Sequence, residues 1–331
     1  MKISENKAAR LRKLSTKQGV IAALAIDQRK SLRLLIAQAA GIETDAVSDA
    51  QVLEFKSAVT RALTPNASAV LIDPELGLDA FTERSASCGL LTTYEMDGYE
   101  NPRPHRMLAL MPELSVRRLR DMGSDGIKIL LSYTPHDDAT SNDHKLAMIE
   151  RIGAECEALD MPFFLEPVSY DVDGLDVKGF EYAKRKPEIV LRTMEELSKD
   201  EYKVDVLKVE FPVNTSFVEG SAVYAGQTAY TLAEALDWYK RVDAAARRPY
   251  IYLSAGVSAE HFRESLKLAA ESGARYSGVL CGRATWQEGA AVYAREGRVA
   301  LDRWLAREGT ANIRAVNACL AGARSWEAWL K

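Results

Sequence analysis

The sequence predicts an α/β fold: a closed (β/α)8 barrel of the TIM-barrel type, with extra N-terminal and C-terminal helices. Short apolar segments recur along the chain, and each is followed by a longer segment with helical periodicity. There are eight such units, a number that matches a closed parallel barrel better than an open doubly wound sheet. No linker rich in proline, glycine or serine divides the chain, so we predict one barrel domain over residues 1–331.

The predicted strands are short apolar runs bounded by turn-forming residues. They cover residues 20–27, 69–73, 90–95, 126–132, 162–166, 204–210, 250–254 and 278–283. Helical periodicity covers residues 51–63, 114–122, 145–159, 179–198, 232–246, 259–272 and 286–296. We also expect a helix before the first strand and a helical tail over residues 301–329.

The composition is that of a globular protein without features that bind nucleic acid or membranes. Hydrophobic residues make up 47% and charged residues 27%, and the formal net charge of -4 comes with both signs mixed along the chain. The longest apolar run, residues 19–26, is too short to span a bilayer, and the charged N-terminal segment does not resemble a signal peptide. The four cysteines are far apart, which suits a reducing compartment. We therefore predict a cytoplasmic protein.

The residue pattern does not favour a metal or a nucleotide cofactor. The four histidines all lie outside the predicted strands, and they form no ligand pair with an acidic partner. Neither a Walker loop nor a dinucleotide-binding glycine pattern follows a strand. A Mg²⁺ site made only of oxygen ligands, from Asp27, Asp73 and Glu95, is the remaining alternative. We expect an enzyme that needs no metal and no cofactor.

Alternation within the strands predicts charged side chains inside the barrel. Helices cover the outer face of such a barrel, so that face must be apolar. Lys128 and Lys208 then point inward from the fourth and sixth strands, and Glu166 points inward from the fifth. The same alternation places Asp27 and Glu210 on inner faces. Since consecutive strands are neighbours, the two lysines are expected to flank one carboxylate.

Two buried lysines beside one carboxylate indicate nucleophilic chemistry. The group carries one unit of excess positive charge, so one amine should lose its proton more readily than usual. A neutral amine is what attack on a carbonyl requires. The alternative is a structural ion network that fills the barrel. A binding site is favoured because the other strands also end in polar or charged residues: Asp27, Asp73, Glu95, Ser254 and Arg283.

The segments after the seventh and eighth strands are suited to bind phosphate. Residues 254–256 lead into a helix that begins near Ser258, and a helix N-terminus favours an anion. Arg283 follows the eighth strand and offers paired donors. The alternative is that Ser258 only caps the helix and that Arg283 lies on the surface. The predicted phosphate-binding residues are Ser254, Ala255, Gly256, Gly282 and Arg283.

Six segments together resemble one known family. They are ALAIDQR at 23–29, LIDPELG at 71–77, IERIGAECEALDMPFFLEP at 149–167, VDVLKVEFPVN at 204–214, PYIYLSAGVS at 249–258 and GVLCGRATW at 278–286. The chain resembles the class I tagatose-1,6-bisphosphate aldolases over nearly its whole length. This resemblance implies reversible, metal-free cleavage of D-tagatose 1,6-bisphosphate to dihydroxyacetone phosphate and D-glyceraldehyde 3-phosphate, with fructose 1,6-bisphosphate as a second substrate.

The resemblance also implies roles for individual residues. The Schiff-base lysine falls on Lys208 and the proton-transferring carboxylate on Glu166, with Asp27 and Lys128 as accompanying active-site residues. The family's C1-phosphate site falls on Ser254, Gly256, Gly282 and Arg283, and Gln28 and Arg29 are expected close to the substrate. A cytoplasmic homo-oligomer, either a dimer or a tetramer, is expected.

Two segments depart from the family pattern and leave alternatives open. Residues 102–111 and 170–178 are expected to border the distal end of the substrate. A related class I enzyme cleaves 6-deoxy-6-sulfofructose 1-phosphate, in which a sulfonate replaces the second phosphate, and this is one alternative. The other is a non-catalytic sugar-phosphate sensor, against which stands the intact set of Lys208, Glu166 and Lys128. The sugar stereochemistry, the pathway and the oligomeric number stay open.

Overall fold

Eight parallel strands form a closed barrel in the computed structural model, which describes residues 2–97 and 104–330. The strands are β1 (Ile21–Ala25), β2 (Ala69–Ile72), β3 (Gly89–Thr93), β4 (Gly126–Ser132), β5 (Phe163–Val168), β6 (Val206–Val209), β7 (Tyr250–Leu253) and β8 (Gly278–Cys281). β1 pairs with both β2 and β8, which closes the ring. The predicted fold class and its strands are therefore confirmed, with small differences at the strand ends.

Helices follow the strands and extend the chain at both ends. They are α1 (Glu5–Lys13), α2 (Lys30–Ala40), α3 (Asp49–Leu63), α4 (Leu78–Glu83), α5 (Val116–Asp121), α6 (Ala139–Ala158), α7 (Phe180–Leu197), α8 (Leu232–Ala245), α9 (Ala259–Ser272), α10 (Arg283–Glu296), α11 (Arg298–Trp304) and α12 (Thr310–Ala318). The predicted terminal helices are confirmed, whereas α2 and the short α4 were not predicted. Within residues 2–97 and 104–330, no helix is both long and apolar enough to cross a bilayer.

The predicted alternation of strand residues is confirmed inside the barrel. Inward-facing apolar residues form one buried cluster that includes Ala23, Leu71, Phe164, Val206 and Leu280. The outward-facing residues pack against the helices in two further clusters. Lys128, Glu166 and Lys208 share the inward side but line the cavity together with residues that follow the ends of other strands, such as Asp27 and Ser254. The barrel interior is thus apolar at one end and charged at the other.

Both terminal regions close the apolar end of the barrel. Leu11 on α1 and Trp326 belong to the same buried cluster as the inward-facing strand residues. An ion pair below β6 adds to this closure, because Lys7 Nζ lies 2.9 Å from Asp205 Oδ2 and both side chains are buried. Asp205 also accepts a hydrogen bond from the backbone amide of Phe163 at 2.8 Å. The open end of the barrel is therefore the opposite one, where the strands end.

The seam between β8 and β1 leaves no room for a side chain at Gly278. Its φ is 138°, and a Cβ there would lie 1.9 Å from the carbonyl oxygen of Ile21. We expect Gly278→Ala to lower the free energy of unfolding by about 3 kcal/mol or more, because both strain and the clash must be relieved. Gly41, which ends α2 with φ 68° and has open space around it, is the control. Gly41→Ala should cost only about 1 kcal/mol in urea unfolding, and equal losses would contradict the seam argument.

Candidate active site

A cavity of about 260 Å³ opens where the strands end, as expected for this fold. Four acidic and four basic side chains line it: Asp27, Glu95, Asp97 and Glu166, and Arg29, Lys128, Lys208 and Arg283. Gln28, Ser31, Ser254, Ala255 and Gly282 are among the other lining residues. The structure therefore brings together the residues predicted for catalysis and phosphate binding except Gly256, which packs against Arg283, whereas Asp73 of the predicted mouth does not line the cavity.

Glu166 bridges two buried lysines at the centre of the cavity. Its Oε1 lies 2.6 Å from Lys208 Nζ, and its Oε2 lies 2.7 Å from Lys128 Nζ. Lys128 is 1% exposed and Lys208 is 4% exposed. β4, β5 and β6 are consecutive in the barrel, so alternation places all three side chains on one side of neighbouring strands. The predicted arrangement of two lysines around one carboxylate is what the structure contains.

Lys128 faces two further carboxylates, which corrects the predicted charge balance. Its Nζ lies 2.8 Å from Glu95 Oε1 and 3.2 Å from Asp27 Oδ2. The two ammonium groups are therefore surrounded by three carboxylates, and the expected unit of excess positive charge is wrong. Asp27 and Glu95, which follow the ends of β1 and β3 and were predicted as separate parts of the mouth, therefore join the same cluster.

The three carboxylates differ in how firmly they hold their charge. Burial raises the pKa of Asp27, but Lys128 and Lys208 outweigh it and bring the pKa down to about 2. Burial also acts on Glu166, and the same two lysines again produce a net lowering of its pKa. Burial dominates at Glu95 and raises its pKa against the opposing effect of Lys128. Glu95 is therefore the first of the three to take up a proton on acidification.

Arg29 and Gln28 form a second wall of the cavity. The Arg29 guanidinium is buried and donates to Glu75 Oε2 at 2.9 Å and to the carbonyl oxygen of Glu95 at 3.1 Å. Gln28 donates through Nε2 to Asp27 Oδ1 at 3.1 Å. Within the described residues, Arg29 Nε and Gln28 Oε1 are buried without a hydrogen-bond partner. Arg29 Nε lies 3.9 Å from Asp97 Oδ2, so of these two atoms it is Gln28 Oε1 that has neither an ion-pair nor a hydrogen-bond partner among the described residues.

Arg283 lines the cavity beside this wall, since β8 is the neighbour of β1 in the barrel, and it is the first residue of α10, not the last of a strand as predicted. Its half-buried guanidinium forms no hydrogen bond or ion pair with any other residue that the structure describes. It packs on Gly256, where an added Cβ would lie 2.6 Å from Arg283 Cζ, so only glycine permits this approach. A free guanidinium beside the N-terminus of a 14-residue helix favours an anion.

Ser258 caps a helix and does not take part in the cavity, which is the alternative that the sequence analysis gave to anion binding. Its Oγ accepts a hydrogen bond from the His261 amide at 3.3 Å and caps α9, and Ser258 does not line the cavity. The helix N-terminus at the cavity is that of α10, reached through Gly282. A Cβ on Gly282 would lie 2.6 Å from the carbonyl oxygen of Ala25, so β1 and this turn are closely packed. Sequence periodicity placed the start of α10 too late to reveal this.

Asp73 lies outside the cavity, contrary to prediction. It is fully buried, pairs with Lys56 of α3 and accepts a hydrogen bond from the Leu76 amide at 2.7 Å. Burial lowers the pKa of Lys56 to about 7. Asp73 therefore does not join Asp27 and Glu95 in the oxygen-only Mg²⁺ site considered above. Over residues 2–97 and 104–330, no group of three or more histidine, cysteine or acidic residues is arranged to hold a metal ion.

Glu210 is a second exception to the predicted alternation. β6 ends at Val209, so the next side chain no longer follows the pleat. Glu210 accepts a hydrogen bond from the Ser169 amide at 2.8 Å and lies 3.3 Å from Lys186 Nζ on α7. It is therefore directed away from Lys208 and does not line the cavity.

The two segments that depart from the family pattern contact each other. Tyr170 Oη donates a hydrogen bond to the carbonyl oxygen of His105 at 3.4 Å, and the guanidinium of Arg106 lies 4.8 Å from the ring centre of Tyr170. None of the described residues in 104–111 or 170–178 lines the cavity, and Pro102 and Arg103 lie outside the described residues. Sequence reasoning missed Ser31 and Asp97 as lining residues, because Ser31 lies in the first turn of the unpredicted helix α2 and Asp97 lies in the loop after β3, where strand alternation gives no signal.

Comparisons with known proteins agree on one family. The family model described as "DeoC/LacD family aldolase" matches residues 21–288. Tagatose 1,6-diphosphate aldolase 2 of Enterococcus faecalis is 46% identical over 98% of this chain and 97% of its own length. Tagatose 1,6-diphosphate aldolase of Listeria monocytogenes is 45% identical over 100% of this chain and 96% of its own length.

A solved structure supports the fold alone. The fructose-bisphosphate aldolase of Plasmodium falciparum superposes with a TM-score of 0.68 at 14% sequence identity. The match covers 98% of this chain and 97% of that one. The overall fold is therefore shared with that structure, although the sequences have diverged.

The charge of Asp27 should make stability depend on acidity. Its folded pKa of about 2 lies below the ordinary 3.8, so its contribution is complete above that ordinary value and is lost as the pH falls towards 2. Between about pH 5 and about pH 2, the wild type should lose roughly 1 to 2 kcal/mol more unfolding free energy than Asp27→Asn. Urea unfolding across this range measures the difference. If the unfolding free energies of the two proteins fall by the same amount over this range, the lowered pKa of Asp27 is contradicted.

Proposed function

The chain belongs to the DeoC/LacD aldolase family and is a carbon–carbon lyase, and from this premise we propose that it cleaves D-tagatose 1,6-bisphosphate through a Schiff base on Lys208. The products are dihydroxyacetone phosphate and D-glyceraldehyde 3-phosphate, and the reaction is reversible. The observation that carries the proposal is the buried amine of Lys208, 2.6 Å from the Glu166 carboxylate. The names of the relatives support the choice of ketose, and fructose 1,6-bisphosphate is the expected second substrate.

Schiff-base formation needs a free amine and a group that carries protons. Lys208 passes a proton to Glu166 and attacks the C2 carbonyl of the ketose. Glu166 then protonates the resulting hydroxyl, which leaves as water, and the sugar is joined to Nζ as an iminium. The short contact between Glu166 and Lys208 places the proton carrier next to the atom that reacts.

Cleavage follows because the iminium draws electrons from the bond between C3 and C4. A base removes the C4 hydroxyl proton, the bond breaks, and the aldehyde leaves. Glu166 is our first candidate for this base and Asp27 is the second, since both are held as carboxylates beside the lysines. The enamine is then protonated at C3, and water releases dihydroxyacetone phosphate from Lys208.

The other residues of the cavity hold the substrate and the charges in place. Lys128 stays an ammonium between Asp27, Glu95 and Glu166. The C1 phosphate binds Arg283 and the backbone around it, while Gln28 and Arg29 approach the sugar from the end of the neighbouring strand β1. The residues proposed for the phosphate are Ser254, Ala255, Gly256, Gly282 and Arg283. Fixing both ends of the ketose aligns C2 with Lys208.

We propose further that the enzyme needs no metal ion or cofactor, because the iminium itself supplies the electron sink. A cytoplasmic homo-oligomer, a dimer or a tetramer, is also part of the proposal. The four cysteines are free thiols, which fits a reducing compartment.

The substrate proposal is tested by steady-state assays in the presence of EDTA. We expect turnover of D-tagatose 1,6-bisphosphate and fructose 1,6-bisphosphate, with kcat/KM at least about tenfold higher than for 6-deoxy-6-sulfofructose 1-phosphate. Preference for the sulfonate would indicate the sulfosugar enzyme. Binding without turnover would indicate a sensor, and activity that returns only with a divalent ion would contradict the metal-free reaction.

The covalent step is tested by reduction with borohydride in the presence of dihydroxyacetone phosphate. Mass spectrometry should find the reduced adduct on the peptide that contains Lys208, because the imine forms there. Lys208→Met is the control and should give neither adduct nor turnover. An adduct on Lys128 in the wild type would exchange the roles of the two lysines.

The phosphate site is tested by Arg283→Ala. Loss of a charge-assisted contact with the phosphate should raise KM about 10- to 100-fold for phosphorylated ketoses. Arg295→Ala, an exposed position near the other end of α10, is the control and should leave KM unchanged. An unchanged KM in Arg283→Ala would place the phosphate elsewhere.

A further inference from the structure

Two lysines contact the same carboxylate, so the cavity must determine which amine reacts. Glu166 lies 2.6 Å from Lys208 Nζ and 2.7 Å from Lys128 Nζ. Both amines are buried, and they come from β4 and β6, the strands on either side of β5. Contact with Glu166 alone therefore does not distinguish the nucleophile from the amine that must stay charged.

The surroundings of the two amines differ. Lys128 lies within ion-pair distance of Asp27 and Glu95 as well as Glu166, whereas within the described residues Lys208 forms an ion pair only with Glu166. Nearby opposite charges favour the charged form of an amine. The ammonium is therefore stabilised more at Lys128 than at Lys208.

Glu95 is the one of these carboxylates that has no step in the proposed reaction. Glu166 moves protons, and Asp27 is the second candidate for the base. When either of these groups is protonated, it no longer balances the charge of Lys128. Glu95 can balance it throughout the cycle.

The backbone holds Glu95 in place without help from a substrate. Glu95 forms an antiparallel bridge with Leu110, and the amide of Met96 donates to the carbonyl oxygen of Ala109 at 2.9 Å. The carbonyl oxygen of Glu95 accepts a hydrogen bond from Arg29 at 3.1 Å. The side chain is 4% exposed. Its carboxylate is therefore held in a fixed position, 2.8 Å from Lys128 Nζ.

We propose that Glu95 is a positioning residue that assigns the two lysines their roles. By pairing with Lys128 it keeps that amine protonated during turnover, so that the free amine arises on Lys208. This inference rests on the proposed Schiff-base function. It concerns the charge of Lys128 and needs no contact between Glu95 and the sugar.

The alkaline side of the pH profile is where this role is measurable. Lys128 is faced by Asp27, Glu95 and Glu166, and Lys208 and Arg29 are the nearby cations. Burial raises the pKa of Glu95, so its charge is lost on the acidic side and is present on the alkaline side. Loss of activity at high pH should then report deprotonation of Lys128.

The test compares the wild type with Glu95→Gln, which keeps the shape of the side chain and removes its charge. The alkaline limb is the part of the pH profile where kcat/KM falls as the pH rises. We expect the midpoint of this fall to lie about one pH unit lower in Glu95→Gln than in the wild type. We also expect kcat to fall more than KM rises, and borohydride reduction to give an adduct on Lys128 in addition to Lys208. Glu95→Asp keeps the charge but withdraws it by one methylene, so it should move the limb in the same direction by less.

A matched control is available at the closed end of the barrel. Asp205 is also a buried carboxylate paired with a lysine, since it lies 2.9 Å from Lys7. Asp205→Asn should lower stability and leave the alkaline limb unchanged. A shift in this variant equal to that of Glu95→Gln would mean that general destabilisation moves the limb, and this would overturn the inference.

The remaining outcomes separate the inference from the proposed function. If wild-type enzyme is trapped on Lys208 while Glu95→Gln keeps both the wild-type limb and the wild-type kcat, the inference is wrong and the function stands. If wild-type enzyme gives no adduct on Lys208, the proposed function fails and the inference fails with it. Should Glu95→Gln not fold, an unchanged limb in Glu95→Asp overturns the inference.

Discussion

The contact on which the rest of the site depends is the sharing of one carboxylate by two buried amines. Removing an ammonium group from water is costly, and the cost is offset only where opposite charges are fixed nearby. Glu166 uses one oxygen for Lys128 and the other for Lys208. Glu95 and Asp27 complete the compensation from two other strand ends. Two of the carboxylates that stabilise the buried ammonium groups, Glu166 and Asp27, are also the groups proposed to carry protons in the reaction.

The barrel makes this cluster possible by separating two environments along one interior. Residues such as Phe164 and Leu280 fill the closed end, and α1 seals it. The charged residues lie one or two pleats further along the same strands, where the cavity is open to ligands. Apolar packing therefore stabilises the closed end of the barrel. The open end is left for the charged residues that the proposed reaction needs.

The sequence was most informative where a rigid periodicity applied. Alternation along buried strands predicted that Lys128, Glu166 and Lys208 meet, because the pleat leaves a side chain two directions and the helices occupy one of them. The same rule failed at Glu210 and did not place Asp73, because each follows the last residue of a strand. Backbone direction there is set by tertiary contacts, such as the pairing of Asp73 with a lysine of α3. Pairings of this kind depend on the folded structure and leave no local pattern.

The closure of the barrel by both terminal regions has a consequence for how the protein can be attached to a surface. Arg12 Nε lies 2.9 Å from Glu327 Oε1, and the amide of Trp326 donates to the carbonyl oxygen of Gly19 at 3.0 Å. The segments around Arg12 and Glu327 thus meet on the face remote from the mouth. Attachment of the protein to a surface through either segment would leave the mouth clear, so substrate access should be unaffected by such immobilisation.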